Sequence, residues 1–81
     1  MTITVEYYAI LKEISGLSSE LFELPTGCTG ISLLAAVGER HQKLAGLMSS
    51  VRIANSAAYL SNDSKIEPDS TLLLIPPVSG G

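Results

Sequence analysis

The run Thr71-Leu72-Leu73-Leu74-Ile75, followed at once by Pro76-Pro77, most narrows what this chain can fold into. A short apolar run without polar alternation reads as a strand covered on both faces, and so central in a sheet. Pro76 and Pro77 lack the N–H that a ladder needs and favour extended polyproline II. They should end the strand and aim the next residues outward. Those residues are Val78-Ser79-Gly80-Gly81. They span at most about 13 Å at ~3.3 Å per residue, enough to place one carboxylate inside another protein. Gly80 and Gly81 have no Cβ, so their backbone fits a channel too narrow for side chains. A carboxylate presented in this way is open to activation and attack. Chain ends are often glycine-rich and without function, but the diproline and the strand before it weigh against that reading here.

With 81 residues, 46% hydrophobic and 16% charged, the chain has room for one domain with one modest core and is too apolar to be disordered. Its five basic residues are scattered and the net charge is −3, which argues against nucleic acid as a partner. No apolar run approaches the roughly 20 residues of a membrane span, and the alternating start is no signal peptide. The single cysteine excludes an internal disulfide framework. The expected location is the cytoplasm.

Along the chain, Ile3, Val5 and Tyr7 alternate with Thr2, Thr4, Glu6 and Tyr8, predicting a strand over residues 2–8. From Ala9 to Ser15 the spacing turns helical, with Ile10, Leu11 and Ile14 on one face and Gly16 as the stop. Ser19–Leu24 alternates again and predicts a second strand, antiparallel to the first because the connection is short. After the loop 25–30, Thr29 is a fair N-cap for a helix starting near Gly30. Its expected apolar stripe is Ile31, Leu34, Val37 and His41, widened by Leu33 and Ala36. Gly30 and Gly38 weaken that helix, so it must lean on the sheet. Gln42–Met48 suits a further short turn of helix, broken at Ser49-Ser50. Val51–Ala54 and Ala57–Leu60 read as strands around an Asn55-Ser56 turn, and Pro68-Asp69-Ser70 as a turn before the last strand.

Strand, strand, helix, strand, short strand, strand makes a two-layer α+β domain. The expected arrangement sets the final strand beside the first in a mixed sheet, with the crossover helix packed on one face: a ubiquitin-like β-grasp over residues 1–75. Residues 76–81 then form a flexible C-terminal tail ending in Gly-Gly.

The sequence resembles the small, sulfur-carrying subunit family of molybdopterin synthase, over essentially its whole length. The strongest part is Leu74-Ile75-Pro76-Pro77-Val78-Ser79-Gly80-Gly81. Tyr7-Tyr8-Ala9-Ile10-Leu11-Lys12-Glu13-Ile14-Ser15-Gly16 resembles the family's first strand, with its paired aromatics, basic-acidic pair and closing glycine, and Ile53-Ala54-Asn55 its central turn. The chain departs from the pattern at Pro68-Asp69-Ser70, where the family carries a glycine-containing acidic turn, and at Gly30 after Thr29. Leu74 and Ile75 stand where relatives carry aromatics.

The resemblance implies that ATP transiently adenylates the Gly81 carboxylate, that a persulfide converts it to a thiocarboxylate, and that its sulfur passes to a cyclic pyranopterin monophosphate. No cofactor would be bound permanently. Pro76, Pro77, Val78, Ser79 and Gly80 would thread the tail, and Leu74, Ile75 and Val78 would meet a partner. The implied partners are the large subunit, in a heterotetramer, an adenylating enzyme of the ubiquitin-activating type, and a sulfur-donating sulfurtransferase. The chain would be a sulfur-donating subunit without catalytic groups of its own, active only with the large subunit.

Other features invite weaker readings. Cys28 precedes a helix start, where a thiolate is favoured, but no base or second cysteine stands near it in sequence. A lone His41 is no metal site and reads as a partly buried or helix-end histidine. Glu6, Glu13, Glu20, Glu23, Glu39 and Glu67 read as a solvated surface. Carriers for thiamine, tRNA thiolation or cysteine synthesis, a ubiquitin-like conjugating modifier and a passive β-grasp binding module stay open as alternatives.

Overall fold

A computed structural model describes residues 1–77. The alternation read at the start of the chain forms β1 (Thr2–Tyr7), with Ile3, Val5 and Tyr7 buried and Thr2, Thr4 and Glu6 half-buried on the other face. A short helix, α1 (Ile10–Ser15), links it to β2 (Ser19–Glu23), which pairs antiparallel from Thr2↔Glu23 to Glu6↔Ser19. Gly16 ends α1 in the left-handed conformation, φ 76°, and donates its N–H to the Lys12 carbonyl at 2.9 Å. Only Leu11 of α1 is fully buried. Ile10, expected to share its face, is exposed because the helix is barely more than one turn and only one edge of it meets the core.

The crossover helix α2 (Gly30–Arg40) and a 3₁₀ helix (Gln42–Ser50) form the second layer. β3 (Arg52–Ala54) and β4 (Tyr59–Leu60) make a small hairpin. Its turn is set by Asn55, whose Oδ1 accepts the N–H groups of Ala57 and Ala58 at 2.8 and 2.9 Å. The last strand, β5 (Thr71–Ile75), lies parallel to β1 and antiparallel to β3 in a sheet ordered β2-β1-β5-β3-β4. Five mixed strands with a helix across one face are the ubiquitin-like β-grasp.

The expected centrality of β5 is observed, but not its cover on both faces. Leu72 and Leu74 enter the core, whereas Leu73 and Ile75 are half-buried on a sheet face that the helices leave open. The apolar run is continuous because both faces of the strand are apolar, although only one is packed.

The α2 stripe is also rotated from its expected position. Gly30, Leu33, Leu34 and Val37 are buried, and Ile31 is 56% exposed. Gly30 is buried by close approach: a Cβ there would stand 2.9 Å from Ile53 Cδ1 and 3.2 Å from the Asn62 backbone. Thr29 makes no side-chain cap. The loop supplies the missing acceptors, the Ser64 carbonyl taking the Gly30 N–H at 3.3 Å and the Asn62 carbonyl the Ile31 N–H at 3.0 Å. The 3₁₀ helix runs through Ser49 and Ser50 rather than breaking there, and buries Leu44 and Met48.

Gly30→Ala should therefore destabilise the fold by roughly 1–3 kcal/mol through overpacking, although alanine is the better helix former. Urea unfolding measures it; an unchanged or raised midpoint would show that the loop yields freely.

Candidate functional site at the exit of the last strand

The end of β5 is fixed from both sides. On one edge Leu74 pairs with Tyr7 of β1; on the other Ile75 pairs with Arg52 of β3. The strand stops at Ile75, with Pro76 half-buried and Pro77 exposed beyond it. Val78, Ser79, Gly80 and Gly81, to which the sequence reading gave the threading and the chemistry, lie outside the described residues.

Of the expected partner contacts, Leu74 is corrected. It is 0% exposed and points among Leu72, Ile53 and Val5 in the core, so no partner reaches it in the folded domain. Ile75 has the opposite parity and lies on the open face. Strand register places Leu73 and Ile75 of β5 there with Thr4 and Glu6 of β1, Leu21 of β2, Arg52 and Ala54 of β3, and Tyr59 of β4. Leu21 and Tyr59 are among the most exposed large apolar side chains, at 60% and 57%. The Arg52 guanidinium lies 4.4 Å from the Tyr59 ring centroid, a cation–π stack. At the far side, Glu6 accepts a 2.9 Å hydrogen bond from the Tyr8 hydroxyl.

The turn that follows β1 carries the least comfortable backbone of the region. Ala9 has φ 52° and ψ −127°, a conformation that L side chains resist. It sits between two exposed apolar side chains, Tyr8 and Ile10, at the end of the sheet where β5 also exits. A recess of about 370 Å³ opens here, lined in part by Glu6, Tyr8, Ala9 and Lys12. The larger groove, about 810 Å³, is elsewhere, between α2 and the 3₁₀ helix, and is walled mainly by Ile31, Leu34, Ala35, Ala45 and Met48. Its size alone does not connect it with the strand exit.

Glu20 is not a solvated carboxylate. On the core side it accepts Arg40 Nη1 at 2.8 Å and the Tyr7 hydroxyl at 3.0 Å, and it meets His41 Nε2. Arg40 also donates to the Leu21 carbonyl at 2.7 Å and stacks 3.8 Å over the Phe22 ring. This cluster ties the C-terminal end of α2 to β1 and β2. Burial pushes the Glu20 carboxyl up, but the hydrogen bonds from Arg40, His41 and Tyr7 together outweigh it and hold it below the ordinary carboxyl range. Burial, then the Glu20 hydrogen bond and charge, push the Tyr7 hydroxyl well above the phenol range, against the opposing charge of Arg40. Nothing in the local sequence signals the cluster, because its members are brought together from three distant segments.

His41 thus serves at the helix end, half-buried against Tyr7 in an edge-on ring contact. Cys28 is partly buried and packed against the core. Among the described residues no group of three or more His, Cys, Asp or Glu side chains converges on a possible metal position, and no helix is long and apolar enough to cross a membrane.

The sequence pattern of the ThiS family matches residues 5–81. The chain belongs to the ThiS family. It is 31% identical to a molybdopterin synthase sulfur carrier subunit of Chlamydomonas reinhardtii, with all of both chains aligned. The human molybdopterin synthase sulfur carrier subunit is 28% identical over 98% of this chain and 93% of that protein. The crystal structure of SAMP1 from Haloferax volcanii superposes over both whole chains with a TM-score of 0.85; at 19% identity it shares the fold.

Two outcomes follow from this geometry. Ala9→Gly should stabilise the fold by about 1 kcal/mol by relieving the positive-φ strain, read as a higher urea midpoint; a lower midpoint would show that alanine is not strained there. Glu20→Gln should cost about 1–2 kcal/mol at neutral pH, discounted for the half-exposed Arg40. Because folding lowers the Glu20 affinity for protons, its contribution is complete above the unfolded value of 4.5 and is lost as pH falls through the lower folded value. Wild type and Glu20→Gln should therefore converge in stability on acidification; a difference that does not change with pH would refute the charged role.

Proposed function

We propose that this chain is the sulfur carrier subunit of a molybdopterin synthase, with the Gly81 α-carboxylate as the group that carries sulfur. The observation that carries this reading is the family match over residues 5–81 together with relatives of that name aligned over 98–100% of the chain. It is supported by a central strand that ends at Ile75 and leads directly into Pro76-Pro77-Val78-Ser79-Gly80-Gly81. A free carboxylate is a poor acyl donor because its oxygen leaves badly. In the proposed sequence a carboxylate oxygen attacks the α-phosphorus of ATP and pyrophosphate leaves, giving an acyl adenylate. The terminal sulfur of a persulfide attacks the acyl carbon and AMP leaves. A second thiol of the sulfur donor then cleaves the new S–S bond, closing its own disulfide and releasing the thiocarboxylate. This sulfur passes to the cyclic pyranopterin monophosphate on the large subunit, which supplies the catalytic groups.

In this reading the domain binds and orients. It offers a fixed root for the tail and an open sheet face for the large subunit and for an adenylating enzyme of the ubiquitin-activating type. A sulfurtransferase provides the persulfide, and the setting is the cytoplasm.

Intact-protein mass spectrometry tests it, after incubation with ATP, a cognate adenylating enzyme and a sulfur source. A mass gain equal to one oxygen replaced by sulfur, lost on deletion of Gly81 or on permanent extension by one residue, is the expected result. Molybdopterin formation from the pterin precursor with the large subunit then separates this pathway from thiamine, tRNA or cysteine carriers. An unchanged mass beside an adenylating enzyme active on a control carrier would instead favour a passive binding module.

A further inference from the structure

The open sheet face has a charge direction that its apolar residues hide. Arg52 stands at the β3–β4 side, exposed, and among the described residues it pairs with no carboxylate. Glu6 stands on β1 at the other side, registered against Leu73, and among the described residues it forms no ion pair. Leu73 and Ile75 lie between them, and Ile75 is the residue registered directly against Arg52. The root of the tail is therefore flanked by a cation on one side and a carboxylate on the other.

Arg52 is also held in place. Its guanidinium lies over the exposed Tyr59 ring at 4.4 Å, a diagonal cross-strand contact between β3 and β4. A long exposed side chain ordinarily loses rotamer freedom on binding; one already stacked on a ring loses less. Stacking on the ring face leaves guanidinium N–H donors at the edge available for a carboxylate, which a planar fork binds in two-point geometry. Arginine and tyrosine are the residue types that most often anchor protein interfaces.

From this placement we infer that the Arg52–Tyr59 stack is a specificity anchor that receives a carboxylate of the tail-accepting partner and fixes the direction in which the domain docks. The partner is a protein surface bearing an acidic side chain opposite Arg52, with a basic side chain toward Glu6. Docking turned end for end would set like charges against each other at both sides of the strand exit, which penalises the wrong orientation. The inference rests on the proposed function for the identity of that partner, the molybdopterin synthase large subunit.

The test is calorimetric titration of the cognate large subunit with wild-type chain, Arg52→Glu, Arg52→Gln, Tyr59→Ala, Tyr59→Phe and Lys43→Glu, each first shown to be folded by its unfolding midpoint. Lys43 is an exposed cation on the 3₁₀ helix in the other layer, so its reversal matches the change in net charge without touching the open face. Arg52→Glu should weaken binding roughly tenfold or more. Tyr59→Ala should weaken it less, and Tyr59→Phe, which keeps the ring, should bind like wild type. Lys43→Glu should be silent, and raising the salt should weaken wild type more than Arg52→Gln. Wild-type affinity in Arg52→Glu, or equal losses in Arg52→Glu and Lys43→Glu, would overturn the anchor while leaving the proposed function standing. Failure of the wild-type chain to bind its large subunit at all would overturn the proposed function and the anchor with it.

Discussion

The parallel pairing of β5 with β1 is the constraint on which the rest of the molecule depends. It joins the two ends of the chain, Thr4 against Thr71 through Tyr7 against Leu74, and it places Leu72 and Leu74 where α2 can cover them. Parallel strands cannot be joined by a tight turn, so everything between them must exist to make the connection. β2 extends one side of the pair, and α2 crosses the layer. The β3–β4 hairpin closes the other side. A contact between chain ends is also the slowest kind to form, because loop closure comes before any return. The strand that leads to the proposed reacting group is therefore completed only as the whole domain is completed.

Two layers of interaction treat their polar groups differently. On the core side the charges are saturated: Glu20 takes partners from β1 and α2 and from the residue after α2, and Arg40 finds a carboxylate, a carbonyl and a ring. Such a network is costly if half-made and rigid if complete. It fixes the end of α2 over the sheet. The start of α2 is fixed differently, by backbone proximity at Gly30 and by the carbonyls of Asn62 and Ser64. A helix held at both ends by unlike means cannot easily slide, and the sheet face it leaves bare keeps a constant shape.

Much of this frame was legible in the residues, and its failures have physical causes. The alternation of β1 survived intact because its inner and outer residues differ in chemistry. β5 was placed correctly, but its burial was overstated. Leu73 and Ile75 are apolar without being in the core, and apolar residues on an open sheet face carry the same sequence signal as residues that face a helix. That ambiguity also put Leu74 on the interface, where strand parity places it in the core beside Ile53. The phase of α2 differs from its apolar stripe because Ile31 has the chemistry of a core residue and Gly30 that of a helix defect. Only the nearness of Ile53 and Asn62 explains the glycine. Glu20 and Arg52 need the register: one becomes a half-buried acceptor and the other a stacked cation through residues remote in sequence.

The contrast between the faces bears on how such a domain works. In the proposed role the reacting group is the terminus, so an internal cluster of perturbed groups has no chemistry to do, and the Glu20 network is consumed by structure. Among the described residues what remains on the open face is unspent: Arg52 stacked but unpaired, Glu6 bonded only to a tyrosine hydroxyl, and Leu73 and Ile75 half-covered. Polar and apolar groups left partly satisfied in this way cost little in a free domain, because water reaches them. They gain value only when a complementary surface excludes that water. Core-side groups bind the domain to itself, open-face groups stay available to a second surface, and β5 contributes alternate residues to each.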